Sequence, residues 1–335
     1  MRRLLDHPDV ADTAVIVNEF GEIGLDHAVV AEGDENVVLL DAGCLCCTIA
    51  NSLGETLNDL YLRRAKGELP PFRRVVIETT GLADPAPILH LLMADRMVTH
   101  SFRADGVIAT VDALFGAGQL DTHEEAVKQA AVADRIALTK TDLASADAVA
   151  ALCRRLRELN PGTVILDAPM GDVAPSDILD LGPFDPDAKP DQVVHWLNAE
   201  AYRANDAAAG HDHDHDVNRH DDRIQAFCVY FDEPVSWAGY ASWVDLMREF
   251  KGANLLRVKG LISIEGSNRP YLVQGVQHVF SPPVRLAAWP SDDRRSRLVF
   301  ITRDMDRSVV DQSLAALGAP AGTMRPASLD DAMNS

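Results

Sequence analysis

The fold of the first half can be argued from the stretch Arg74-Val-Val-Ile-Glu78 and from the Thr79-Thr-Gly-Leu-Ala-Asp-Pro85 that follows it. The three central residues of the first segment are apolar and β-branched in succession, a pattern typical of a strand that is buried on both faces. The glycine and the proline of the second segment mark a turn. The stretch therefore predicts a strand at 74–78 inside a sheet that is covered on both sides.

Similar apolar runs recur on both sides of this stretch, with helical patterns between them. The predicted strands are 13–17, 37–40, 106–111, 135–138 and 163–166, and the clearest predicted helices are 50–66, 124–133 and 147–159. Leucines in the first of these helices recur at helical spacing. Strands that alternate with helices predict an α/β domain with a mostly parallel sheet and helices on both faces.

The second half has a different pattern. Residues 167–223 are rich in Asp, Pro, Gly and His, and apart from a short apolar element at 193–197 they suggest a linker. After it we predict a small α+β unit. Its strands are 225–231, 255–264, 271–280 and 298–302, and its helices are 237–250 and 306–317. The predicted division is 1–180, a linker at 181–223, a C-terminal domain at 224–320 and a tail at 321–335.

Net charge, hydropathy and cysteine content exclude several classes of function. The 335 residues carry a net charge of −20 without a basic patch, which argues against a nucleic-acid partner. We find no apolar run long enough to span a membrane, and Asp6, His7 and Asp9 stand where a signal peptide needs apolar residues. These features predict a cytoplasmic protein without a membrane partner. Five cysteines, an odd number, favour metal binding or a reactive thiol over a disulfide framework.

Three of these cysteines are clustered in Gly43-Cys44-Leu-Cys46-Cys47, directly after the predicted strand at 37–40. Converging thiolates suit zinc, copper(I) or another soft ion. The alternatives are three buried cysteines that pack as small apolar residues, or a redox pair, although a disulfide between adjacent Cys46 and Cys47 would be strained. Three sulfurs leave a tetrahedral ion one ligand short.

The missing ligand has two candidates in Asn18-Glu-Phe-Gly-Glu22, which follows the first strand and should lie at the same edge of the sheet. Glu22 or Glu19 can supply a carboxylate oxygen, or both can be ordinary solvated loop residues. A second metal-binding segment is the histidine tract with His211, His213 and His215, and with His220 nearby. Such a tract can collect labile zinc, nickel or cobalt, and the alternative is a polar linker.

Two further motifs suggest nucleotide chemistry. Glu78 stands at the end of an apolar strand. Nucleotide hydrolases hold magnesium with a carboxylate in such a position, and the glycine at position 81 allows the backbone to approach a γ-phosphate. Thr139-Lys140-Thr-Asp142 follows the strand at 135–138, where an aspartate can accept hydrogen bonds from guanine and a lysine stem can pack on its ring. The alternatives are a common acidic strand end and a helix-capping aspartate.

In this order, the four motifs Asn18–Glu22, Gly43–Cys47, Glu78–Pro85 and Thr139–Asp142 resemble the CobW family of metallochaperone GTPases. That family consists of P-loop proteins related to the GTPases that deliver nickel to hydrogenase and urease. The resemblance extends from Met1 to about Leu317. It implies zinc, or cobalt, nickel or iron, together with GTP and magnesium, and a client metalloprotein as partner.

The resemblance also assigns roles to residues. It makes Cys44, Cys46 and Cys47 metal ligands, places Glu78 and Gly81 in the catalytic magnesium and γ-phosphate site, and gives guanine binding to Thr139, Lys140 and Asp142. One departure is that the printed sequence contains no GxxGxGKT loop, with which the family opens. We expect that a strand, this loop and a helical turn precede Met1 in a complete protein. The chain without this loop should then bind GTP poorly, while a protein that carries the loop should hydrolyse it.

The sequence thus predicts a GTP-dependent metallochaperone, in the first place for zinc. One alternative is a protein that stores or scavenges zinc without GTPase activity. The other is a cobalt or iron insertase for cobalamin synthesis or nitrile hydratase, because Cys, His and Glu ligands accept all three metals.

The histidine tract generates a first prediction. Deleting residues 208–222 should leave the thermal midpoint of unfolding nearly unchanged, because the composition of the segment offers no apolar core. The deletion should lower the number of weakly bound zinc ions measured by titration. A large drop in the midpoint would show that the segment is packed.

Overall fold

The structure is a computed structural model that describes residues 12–18, 49–182 and 223–315, residue 4, and short pieces at 7–10, 193–194, 197–199 and 201–202. The strand predicted at 37–40 lies outside the described residues. Among the described helices, none is long and apolar enough to cross a bilayer.

The N-terminal domain contains parallel strands and helices, as predicted. Its strands are β1 (Thr13–Asn18), β2 (Arg74–Thr79), β3 (Ile108–Asp112), β4 (Arg135–Thr139) and β5 (Val164–Ala168). Its helices are α1 (Ile49–Ala65), α2 (Ala86–Ala94), α3 (Arg96–Ser101), α4 (Gly116–Thr122), α5 (Glu124–Val132), α6 (Ala146–Leu159) and the short α7 (Pro175–Ile178). The five predicted strands that fall on described residues are all present.

The described strands of this domain form two parallel sheets. One is the pair β1–β2, in which Thr13 lies opposite Arg74, and the other has the order β3-β4-β5. No described strand joins β2 to β3. Since β4 is the central strand of the second sheet, the loop after it is flanked by the ends of β3 and β5.

Helices pack their apolar faces against each of the two sheets. Leu53, Leu57 and Leu60 of α1 are at most 2% exposed and pack with Ile16 of β1, as their helical spacing predicts. The second sheet has a comparable core, formed by β4 with α5 and α6. It contains Ile136, Leu138, Val127, Ala130, Leu152, Leu156 and Leu159.

The C-terminal domain is built on an antiparallel sheet with the order β10-β8-β7-β11-β6, to which β9 is added at β8. Its strands are β6 (Ile224–Phe231), β7 (Leu255–Ile262), β8 (Tyr271–Val276), β9 (Val279–Phe280), β10 (Val284–Arg285) and β11 (Ser296–Arg303). Helices α8 (Trp237–Lys251) and α9 (Arg307–Ala315) complete it. Trp243 of α8 is 1% exposed and donates a hydrogen bond to Ser313 Oγ of α9 at 3.1 Å. The predicted α+β class is confirmed.

Two details differ from the sequence prediction. The single strand predicted at 271–280 is a hairpin, because Gln277 takes a left-handed φ of 51° and the chain reverses between β8 and β9. Parts of the predicted linker are packed. Tyr202 is fully buried, and its hydroxyl donates to Asn160 Oδ1 at 2.9 Å. Val193 and Leu197, which belong to the short apolar element that the sequence does suggest, join a core with residues of β6 and β11.

A buried ion cluster joins the two domains at Asp134, which precedes β4. Its Oδ1 accepts a hydrogen bond from Arg257 Nη2 at 2.6 Å and lies 3.9 Å from Lys259 Nζ, and its Oδ2 accepts one from the Val107 backbone at 3.0 Å. Arg257 also donates to the carbonyl of Val132. Burial lowers the pKa of Lys259 to about 7; the charge of Arg257 adds to this effect, and that of Asp134 opposes it.

This cluster generates a stability prediction. Replacing Asp134 with Asn keeps the shape of the side chain but removes the negative charge that pairs with Arg257 at 2.6 Å and lies 3.9 Å from Lys259. Removing one partner of a buried ion pair costs about 3–5 kcal/mol. We expect the free energy of unfolding, measured by chemical denaturation, to fall by about that amount.

A matched control uses another ion pair between the domains, Glu124 with Arg303 at 2.9 Å, in which the glutamate is 44% exposed. Glu124→Gln should change stability by less than about 1 kcal/mol, because solvent already screens the pair. Equal effects of the two substitutions would contradict the role given to Asp134.

Candidate functional site

The first predicted loop begins at the exposed carboxyl end of β2. Glu78 and Thr79 are the last residues of the strand, and both side chains are exposed. Gly81 follows, and no atom of the described residues lies within 4 Å of the point where its β-carbon would be. Among these residues the backbone at Gly81 is therefore open to close approach by a ligand, and its role at a γ-phosphate stays a prediction.

Thr80, between these residues, has a hydroxyl oxygen that is buried without a hydrogen-bond partner among the described residues. An unpaired buried hydroxyl costs about 1–3 kcal/mol, so a partner such as a bound ligand oxygen or a water is favoured there. Together with the carboxylate of Glu78, it offers oxygen atoms of the kind that magnesium prefers. The donors at this strand end fit a magnesium-bound phosphate.

Helix α5 holds this loop in place. Lys128 Nζ lies 2.7 Å from Asp84 Oδ2, and Gln129 Nε2 donates to the carbonyls of Gly81 at 3.2 Å and Ala83 at 2.8 Å. The other oxygen of Asp84 accepts the Ala86 N–H at 2.9 Å, in the first turn of α2. The loop after β2 is thus tied both to the helix that follows it and to a helix packed on the second sheet.

The second predicted loop follows β4 and begins with a residue in an unusual conformation. Lys140 has φ 57° and ψ 29°, in the left-handed region, and so turns the chain sharply after the central strand. Thr139 Oγ1 donates to the Val111 carbonyl at 3.2 Å, and Thr141 Oγ1 donates to Asp167 Oδ1 at 2.6 Å. The loop is therefore fixed to both neighbouring strands, and Asp142 is exposed beside them.

Lys140 has a charged partner that the sequence did not suggest. Its Nζ lies 2.6 Å from Oδ2 of Asp112, the last residue of β3, and 5.9 Å from the ring centroid of Phe115. Burial by itself would raise the pKa of Asp112. The hydrogen bond and charge of Lys140, with the N–H groups of Leu114 and Phe115, outweigh that effect, so its pKa lies below the usual value.

The described site residues thus fall into two loops at the carboxyl ends of parallel strands, and α5 contacts the first loop and packs on β4, the strand that carries the second. Lys128, Gln129, Thr80, Asp112 and Phe115 were not predicted. Lys128 and Gln129 belong to a polar helix surface with no local motif, and Asp112 resembles any acidic strand end. Sequence spacing alone cannot pair them with the loops.

The proposed metal ligands lie outside the described residues. These are Cys44, Cys46, Cys47, Glu19, Glu22, His211, His213, His215 and His220. Within the part of the chain that the structure describes, no three His, Cys, Asp or Glu side chains are grouped so as to hold a metal ion.

Comparison with known proteins gives a consistent result. Residues 1–167 match the family described as CobW/HypB/UreG, nucleotide-binding domain, and residues 224–318 match the cobalamin synthesis protein cobW C-terminal domain. The zinc chaperone YjiA of Escherichia coli is 29% identical over 317 residues, covering 95% of this chain and 93% of YjiA. The zinc chaperone CobW of Pseudomonas aeruginosa is 30% identical over 348 aligned positions, covering 94% of this chain and 86% of that protein.

Similarity extends to eukaryotic proteins and to a solved structure. The zinc-regulated GTPase metalloprotein activator 1 of Schizosaccharomyces pombe is 26% identical, covering 92% of this chain and 79% of that protein. The crystal structure of Zn(II)-bound YjiA GTPase from E. coli superposes with a TM-score of 0.63 at 24% identity, covering 92% of this chain and 90% of that one, and so shares the fold. The two family matches and the relatives together establish that this chain belongs to the CobW/HypB/UreG family and carries a CobW-type C-terminal domain.

Proposed function

We propose that this protein is a GTP-dependent zinc metallochaperone that transfers zinc to a client metalloprotein. The observation that carries the proposal is the pair of loops at the ends of β2 and β4, one with oxygen donors and an open glycine, the other with a fixed lysine beside an exposed aspartate. The relatives that are named zinc chaperones and zinc-regulated GTPases support both the nucleotide and the metal.

Guanine would be bound at the loop after β4. The Asp142 carboxylate can accept hydrogen bonds from N1 and the exocyclic amine of guanine, and the aliphatic stem of Lys140 can stack on the ring. Glu78 and the Thr80 hydroxyl would hold magnesium, which supplies charge neutralisation at the phosphates. The open backbone at Gly81 would lie against the γ-phosphate.

Coupling between the nucleotide and the rest of the protein would run through α2. This helix begins directly after the loop that contains Gly81, and its Met93 packs with Val276 and Val279 of the C-terminal domain. His90 Nε2 lies 3.0 Å from the Val276 carbonyl, and the ring of His90 is 4.5 Å from that of His278. A change at the phosphate loop can therefore reach the second domain through a single rigid helix.

The contact between His90 and His278 also favours stable packing of α2 on the β8–β9 hairpin. Burial, and secondarily the neighbouring His278, hold the pKa of His90 below its usual value, while the Val276 carbonyl and Asp84 oppose the shift. The shift favours the neutral form of the His90 imidazole at its contact with the Val276 carbonyl and the ring of His278.

Zinc would bind at Cys44, Cys46 and Cys47, whose thiolates match its preferred ligands. Replacing all three with Ser should abolish tight zinc binding and leave only weaker binding at the histidine tract. The measurement is competition against a chromophoric zinc chelator. Cys153→Ser, a change on α6 outside the cluster, is the control and should bind zinc as the parent does; full-affinity binding by the triple variant would show that the site is elsewhere.

The guanine assignment has its own test, based on a ratio of affinities so that it holds even when binding is weak. Asp142→Asn should lower the preference for GDP over ADP by at least about tenfold, because a charge-assisted hydrogen bond contributes about 1.5–3 kcal/mol. Displacement of a fluorescent guanine nucleotide measures both affinities. A parent chain with no preference for guanine would refute the GTP part of the proposal.

A further inference from the structure

Lys140 is held on one side by Asp112, which begins the turn after the neighbouring strand β3. Asp112 ends β3, and its Oδ1 accepts the N–H groups of Leu114 at 2.8 Å and Phe115 at 3.3 Å. Its Oδ2 faces Lys140 Nζ at 2.6 Å. One oxygen thus fixes the turn and the other fixes the lysine, so the carboxylate cannot rotate away without losing both sets of contacts.

The burial of the two partners is unequal. The side chain of Asp112 is 16% exposed, whereas that of Lys140 is 51% exposed. A pair of this kind contributes little to folding stability, because water screens the exposed partner. The pair does restrict the position of the Lys140 ammonium group, because backbone N–H groups already hold the Asp112 carboxylate in place.

Phe115 adds a second restraint on the same group. Its side chain is 63% exposed although it is large and apolar, and its ring centroid lies 5.9 Å from Lys140 Nζ, within the range of a cation–π interaction. The carboxylate and the ring together draw the ammonium group toward the end of β3. The lysine stem therefore runs from the loop after β4, which also carries Asp142, toward the end of β3.

We propose that Asp112 and Phe115 are positioning residues that hold the stem of Lys140 as a preformed stacking surface for the base of a guanine nucleotide. This inference rests on the proposed function. A lysine has many rotamers, and fixing it in advance removes an entropic cost that binding would otherwise carry. Asp142 would select the base, while Asp112 and Phe115 would increase the affinity for any base of the same shape.

The test separates stacking from base reading. Asp112→Asn keeps Oδ1 as an acceptor for the turn but removes the charge that holds Nζ, and Phe115→Leu removes the aromatic ring. Each should weaken binding of GDP and of inosine diphosphate, which lacks the exocyclic amine, by the same factor of roughly two to ten. Asp142→Asn should instead weaken GDP more than inosine diphosphate. Affinities are measured by displacement of a fluorescent guanine nucleotide.

The control is Asp121→Asn on α4, which breaks a comparable ion pair with Arg155 at 2.7 Å. It should leave both affinities unchanged. Unchanged affinities in Asp112→Asn and Phe115→Leu, in a parent chain that does prefer guanine, would overturn this inference and leave the proposed function standing. So would a shift in the ratio of GDP to inosine diphosphate affinity, because it would show that Asp112 acts on the polar edge of the base.

A second measurement needs no nucleotide. The rate at which a lysine-selective acylating reagent modifies Lys140, followed by peptide mass spectrometry, should rise severalfold in Asp112→Asn relative to the parent and to Asp121→Asn. An unchanged rate would show that Asp112 does not hold the ammonium group. Absence of any guanine preference in the parent would refute the proposed function, and with it this role, whatever the labelling rate.

Discussion

The carboxylate of Asp134 is the constraint on which the arrangement of the two domains depends. It is almost completely buried, and a charge in that position needs its partners close by. Those partners, Arg257 and Lys259, stand two residues apart on β7 and thus on the same face of the C-terminal sheet. Satisfying the charge therefore fixes the start of β4 against the middle of β7.

Helix α5 extends this constraint to the functional region, since it ends at Val132, two residues before Asp134. One side of it packs on β4 through Val127 and Ala130, and Lys128 and Gln129 hold the loop after β2. At its first turn, Glu124 reaches Arg303 on β11. A single short helix thus connects the phosphate-side loop, the sheet that carries the guanine-side loop, and the C-terminal domain.

The sequence was sufficient for most of the described elements, although not for the β8–β9 hairpin, and it was sufficient to single out the motifs, because both are local patterns. Strands and helices follow from the periodicity of apolar residues, and Glu78, Gly81, Lys140 and Asp142 stand out by their order along the chain. The partners of these residues could not be derived in this way. Asp112 is 28 residues from Lys140, and Lys128 is 44 residues from Asp84, so only the packed fold pairs them. The same holds for Tyr202, which lies in a polar segment that suggests a linker but packs against Asn160. The ligands predicted for zinc remain predictions.

The position of β11 in the C-terminal sheet has a consequence for biosynthesis. This strand lies between β7 and β6, but it is the last of the described strands to be made. At roughly 5–20 residues per second, several seconds separate the emergence of β6 from that of its neighbour. During that interval β6 has no described strand with which to pair, and its apolar face is open to other chains. Stalled or truncated translation products that end before residue 296 would therefore be prone to aggregate, and rapid capture of the nascent chain by cellular chaperones would favour a high yield of folded protein.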